Sequence, residues 1–108
     1  MTDAYLMVYC TCPVDAAEAL ARTLVEAGAA ACVNRLDGVQ STYRWNGGIS
    51  TDHESLLLIK STRAAFEVLK QTILAHHPYE LPEIVAVPVA TGHAPYLAWI
   101  AECVSSSA

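Results

Sequence analysis

The 108-residue chain is the size of one domain, with 54% hydrophobic residues, only 16% charged residues and a formal net charge of -5. No basic stripe is available to neutralise phosphates, which excludes nucleic-acid binding, and no run nears the roughly 20 apolar residues of a membrane span. A small domain needs more polar covering than a large one, so the apolar excess predicts a subunit interface.

The elements follow in chain order. Met1-Thr2-Asp3-Ala4 and a short apolar run lack the basic head and long hydrophobic region of a secretion signal, which predicts a soluble cytoplasmic protein. Tyr5 to Cys10 reads as a buried strand closed by Pro13. Asp15 and Glu18 have capping-box spacing, ahead of a helical face of Ala17, Leu20, Ala21, Leu24 and Val25, and Gly28 suits the position just past that helix. A second strand begins near Ala31, breaks around Asp37-Gly38 and resumes from Val39 to Trp45. Asn46-Gly47-Gly48 then predicts a hairpin turn, with a return strand over about 49–60. A hairpin this long can reach past its own domain.

Ser61 or Thr62 is expected to cap a second helix with Ala65, Phe66, Leu69, Thr72 and Ile73 on one face. It must stop near His77, because Pro78 disfavours the helical conformation in the residue before it. Ile84 to Val89 reads as a fourth strand, and Pro88 marks it as an edge or a bulge. Pro95 suits the start of a last helix carrying Tyr96, Trp99, Ile100 and Cys103, before a serine tail, Ser105-Ser106-Ser107-Ala108. The order β-α-β-β-α-β-α predicts an α+β, ferredoxin-like split β-α-β fold over a single domain, 1–108. Four antiparallel strands carry two helices on one face, a long hairpin joins the second and third strands, and an extra C-terminal helix follows. The other sheet face is left for a partner subunit.

The densest chemistry lies in His76-His77-Pro78-Tyr79-Glu80-Leu81-Pro82-Glu83-Ile84. Imidazole is the commonest metal ligand, yet adjacent helical residues point about 100° apart, so the pair either ligates after local unwinding or caps the helix end. Cys10 and Cys12 fall on one side of an extended strand. They suit a soft ion such as Cu(I), or simply fill the core. Cys32 and Cys103 read as packing residues, and His53 and His93 as surface residues. With no CxxC, the four cysteines are expected as free thiols. Glu80 and Glu83 either orient an imidazole or pair with Arg44 or Lys60, and Tyr43-Arg44-Trp45 at the hairpin tip reads as interface or pocket lining. No nucleophile elbow, glycine-rich phosphate loop or HExxH occurs. The loop Thr11-Cys12-Pro13-Val14-Asp15 also lacks the arginine that the acylphosphatase chemistry of this fold would need, so no enzyme is expected.

Cys10-Thr11 with Pro13, Ala30-Ala31-Cys32-Val33-Asn34, Ser41-Thr42-Tyr43-Arg44-Trp45, Leu57-Leu58-Ile59-Lys60, His76-His77-Pro78-Tyr79-Glu80 with Pro82-Glu83-Ile84, and Tyr96-Leu97-Ala98-Trp99-Ile100 stand in the order and spacing of one family. Over roughly Leu6 to Cys103 the chain resembles the CutA divalent-cation tolerance proteins. The resemblance implies a tight homotrimer with its long hairpins around the three-fold axis. It also implies a role in the response to metal ions and copper binding through Cys10, His76 and His77. Fold analogy with the PII signalling trimers keeps a second function open, a small ligand or protein partner held in clefts between subunits.

Overall fold

The computed structural model describes residues 4–105. Of the serine tail, Ser106, Ser107 and Ala108 lie outside the described residues, as does the start at Met1-Thr2-Asp3. Seven elements follow in the predicted order: β1 (Tyr5–Cys12), α1 (Val14–Glu26), β2 (Cys32–Trp45), β3 (Gly48–Thr62), α2 (Phe66–His76), β4 (Val85–Pro88) and α3 (Ala94–Ser105). The strands form one antiparallel sheet in the order β2-β3-β1-β4. This is the split β-α-β arrangement, with β1 and β3 central and β2 and β4 at the edges.

Strict alternation sets the two faces of β1. Leu6, Val8, Cys10 and Cys12 are buried, while Tyr5, Met7, Tyr9 and Thr11 point the other way and are half-buried. The buried set joins Leu57 and Ile59 of β3, Leu20 and Leu24 of α1, and Leu69 and Ile73 of α2 in the main core. The strand runs two residues beyond the predicted Cys10, because Pro13 and not the apolar run ends it.

Helix α1 starts differently from expectation. Pro13 occupies the N-cap position and no side chain caps the helix, so the Asp15–Glu18 capping box does not form. Asp15 instead sits in the first turn, where a carboxylate faces the positive end of the helix dipole. Gly28 takes φ 72°, the left-handed conformation expected just past a helix. Strand β2 continues through Asp37-Gly38 on a bulge between Leu36 and Val39, with Gly38 at φ 87°. Asn46 (φ 51°) and Gly47 (φ 78°) form the two-residue turn, both in the region that a type I′ hairpin demands.

Strand β1 pairs β3 only from Ser55 to Thr62, so the arm from Val39 to Glu54 extends beyond the sheet as a two-stranded ribbon. Its tip exposes Tyr43, Trp45 (54%) and Ile49 (65%). The second face of the sheet is not left wholly open. Helix α3 covers one end of it, burying Ile100 and Val104 against Ala31 and Ala65 with Tyr5 and Leu97 packed alongside. The remainder presents half-buried Met7, Tyr9, Leu56 and Leu58 and exposed Val85 and Val87. Among the described residues no helix is long and apolar enough to cross a membrane.

Candidate functional site

Helix α2 ends at His76, and His77 turns to extended backbone (φ -82°, ψ 138°), as the following proline requires. The two imidazoles part at that point. The His76 ring is exposed and its Nδ1–H donates to the Thr72 carbonyl one turn back, at 2.9 Å, which leaves Nε2 open to solvent. The His77 ring is only 8% exposed. Its Nε2–H donates to the Thr11 carbonyl at 2.8 Å, and its Nδ1 accepts the Tyr79 backbone N–H at 3.1 Å. Both ring nitrogens are therefore committed, and these partners fix one neutral tautomer. The Tyr79 ring lies 4.8 Å from the same imidazole.

The Thr11 carbonyl explains the arrangement. Strand β4 pairs with β1 only as far as Tyr9, so the last residues of β1 have no strand beside them on that edge. His77 supplies the missing donor. The Cys10 thiol points at the same carbonyl oxygen at 3.7 Å, so the first strand and the histidine loop do meet, through a backbone atom. Cys10 is fully buried. Burial pushes its thiol up to about 12, with smaller contributions from Cys12, Glu83 and Glu54. Burial likewise raises Cys12 to about 11, with Glu54 next. Thiolate is the ligating form of cysteine, so neither thiol is ready for a cation at neutral pH.

The predicted ligand set of Cys10, His76 and His77 thus does not fit a metal ion as it stands. The thiol is buried and protonated, one imidazole is saturated, and only His76 offers a free nitrogen. Among the described residues no group of three or more His, Cys, Asp or Glu side chains is placed to hold a metal. Local motifs give the residue types of such a site. They do not give the hydrogen bonds that have already used them.

Beside the histidine loop lies a groove of about 850 Å³. One wall is the hairpin segment from Ser41 to Trp45, the other is the loop from Tyr79 to Glu83, and Thr11 and Glu54 line the space between. Glu54 is 5% exposed, and its carboxylate accepts the Tyr79 hydroxyl at 2.8 Å. Burial first, then this carboxylate, raises the Tyr79 pKa. Tyr43 donates its hydroxyl to Asp52 on the neighbouring strand, and that hydrogen bond is the main cause of its raised pKa. Thr11 Oγ1 donates to Glu83 at 3.4 Å. The groove therefore combines aromatic faces (Tyr43, Trp45 and Tyr79) with three carboxylates (Glu54, Glu80 and Glu83) against one cation, Arg44. Tyr43 and Trp45, expected as interface or pocket lining, stand at the groove, and Tyr79 joins them there. Nothing in the sequence signalled Glu54 as the buried partner of Tyr79, because a cross-strand loop contact leaves no local pattern.

A family model described as CutA1 divalent ion tolerance protein matches residues 6–103. The divalent-cation tolerance protein CutA of Thermus thermophilus is 49% identical over 88 residues, covering 82% of this chain and 85% of that protein. The chloroplastic protein CutA of Arabidopsis thaliana is 38% identical over 96 residues, covering 88% of this chain, and this chain spans only 53% of its length. In structure, the Thermus thermophilus tolerance protein superposes with a TM-score of 0.90 at 46% identity over 93% of this chain and 98% of that one. CutA1 from Oryza sativa superposes with a TM-score of 0.91 at 36% identity over 95% of each. The names of the family model and of the Thermus thermophilus protein describe a tolerance to divalent cations and not a reaction.

Proposed function

The chain belongs to the CutA1 divalent ion tolerance family, and from that premise we propose that it serves divalent-cation tolerance as a cytoplasmic homotrimer with copper as its cation. The observation that carries the family role is the match across residues 6–103, nearly every residue of the fold. Support for assembly comes from the ribbon of Val39 to Glu54, which has no third strand over most of its length and exposes Trp45 and Ile49. An isolated two-stranded ribbon is marginal in water. The uncovered part of the second face, with Met7, Tyr9, Val85 and Val87, supports the same reading. Four free thiols suit a reducing compartment.

The copper contact lies at His76, whose Nε2 is free, in a site completed by a neighbouring subunit. Cys10 and His77 join only if the Thr11 carbonyl gives up its present partners. Isothermal titration of Cu(II) and Cu(I) on the wild type and on His76→Ala, His77→Ala and Cys10→Ala tests this. His76→Ala is expected to lower affinity most. Equal affinity in all four proteins would remove the site.

A second reading rests on the groove. Its aromatic walls and hydrogen-bonded Glu54–Tyr79 pair favour a small ligand or a protein segment held there, as in a PII-like signalling or adaptor trimer. Thermal-shift screening decides it: one metabolite that stabilises strongly while copper does not favours the adaptor role.

A further inference from the structure

At the end of the sheet under α3, three chemically active groups from three elements meet around one sulfur. Cys32 of β2 and Lys60 of β3 are direct cross-strand partners, so their side chains leave the same face side by side. Lys60 Nζ stands 3.9 Å from Cys32 Sγ, and it also donates to the Asn34 side chain two residues along β2, which holds the ammonium head beside the sulfur. From α3, Tyr96 faces the same sulfur, and burial first and then Cys32 raise its pKa. Cys32 is half-buried, as is Cys103, whereas Cys10 and Cys12 are sealed in the core, so a reagent the size of peroxide reaches this thiol before those two. Nothing in the divalent-cation reading uses this cluster.

We propose that Cys32 and Lys60 form a peroxide-driven, reversible sulfur–nitrogen cross-link between β2 and β3. The Cys32 thiolate attacks one oxygen of hydrogen peroxide and the O–O bond breaks. The departing hydroxide takes a proton from the Lys60 ammonium and leaves as water. Sulfur has lost two electrons, peroxide has gained them, and Cys32 carries a sulfenic acid. Lys60 is now a neutral amine beside an electrophilic sulfur. Its nitrogen attacks, the S–O bond breaks, and the second hydroxide leaves as water with the amine proton. Thiolate, ammonium and peroxide thus give a sulfenamide and two waters, with charge and atoms balanced. Lys60 acts first as acid and then as nucleophile, and Tyr96 donates a hydrogen bond to the sulfur during the attack. The product staples the second strand to the third at the base of the long hairpin, and thiols reverse it.

The test uses the full-length protein and a Cys103→Ser variant, in which no disulfide from Cys32 to Cys103 can mimic the product. Each is treated with equimolar hydrogen peroxide and read by intact mass and a non-reducing tryptic map. The expected result is a loss of two hydrogens, a joined pair of peptides carrying Cys32 and Lys60, resistance to trypsin after Lys60, and restoration by dithiothreitol. Lys60→Met, and wild-type protein reductively dimethylated at its lysines as a fold-preserving second measurement, should give no cross-link and a dimedone-reactive Cys32 instead. The proposal is overturned if the joined peptides persist without a Lys60 amine. It is equally overturned if wild-type Cys32 stops at sulfenic acid, or if Cys32 oxidises no faster in the folded protein than in urea.

Discussion

His77→Ala separates a structural histidine from a ligating one. The substitution strips the Thr11 carbonyl and the Tyr79 amide of their ring partners, bonds of 2.8 and 3.1 Å, and it removes the ring packed 4.8 Å from Tyr79. A buried polar group left without its partner costs about 1–3 kcal/mol. The carbonyl sits at the buried ring and falls near the upper end. The amide belongs to a loop whose tyrosine is 38% exposed, so water compensates it in part. The expected loss is about 2–4 kcal/mol. His76→Ala removes one exposed bond to Thr72, and its effect should stay within about 0.5 kcal/mol. Urea unfolding of both variants at one fixed protein concentration, compared at equal m, measures the difference, since concentration shifts the midpoint of an oligomer. His77→Gln keeps one donor and should recover part of the loss. If His77→Ala and His76→Ala unfold within about 0.5 kcal/mol of each other, a threshold at the ordinary scatter of surface changes, His77 is not a structural histidine.

Two further outcomes follow from the same structure. Cys10 and Cys12 hold their protons to about 12 and about 11 in the folded chain, against an ordinary thiol value of 9.0. The folded state therefore binds more protons than the unfolded one above that ordinary value, so their stabilising contribution is whole below pH 9 and falls as pH rises toward 11. The slope should approach about 1.4 kcal/mol per thiol per pH unit, and Cys10→Ala should remove half of it in unfolding measured across that range. An unchanged slope would refute the burial account. Ile49→Lys at the hairpin tip puts a charge where 65% of an apolar side chain is exposed. Light scattering after size exclusion should show a smaller assembly with the far-ultraviolet spectrum intact, and an unaltered mass would mean the ribbon carries no interface.

Particular residues explain what was legible in the sequence. Asn46-Gly47 announced the turn because few other residues tolerate positive φ twice in succession, and Pro78 announced the helix stop because it constrains its neighbour sterically. Both signals act within one or two residues. Alternation along β1 put Cys10 and Cys12 on one side, yet only packing decides which side is covered, and it is the α1 and α2 side. The Asp15–Glu18 spacing misled because Pro13, already fixed near helical φ, starts the helix two residues earlier than the cap would. The chain order gave α3 without its place. Its cover over Tyr5 depends on Ile100 and Val104 finding Ala31 and Ala65, contacts between distant parts of the chain.

The members of the histidine loop touch different things. His76 faces solvent, His77 closes the unpaired end of β1, and Tyr79 gives its amide to His77 and its hydroxyl to buried Glu54 at the groove. A cation held at His76 would pull on the residue that turns into His77, and through the Tyr79 amide that pull would reach the groove wall within three residues. Coupling of this kind needs a contiguous set of bonds with two arrangements, and the His77–Tyr79 bond is the link that joins the two ends. Hydrogen exchange at the Tyr79 amide reads it directly. Copper should change its protection in the wild type and not in His76→Ala. Equal protection with and without copper would mean that the cation contact and the groove are independent sites on one loop.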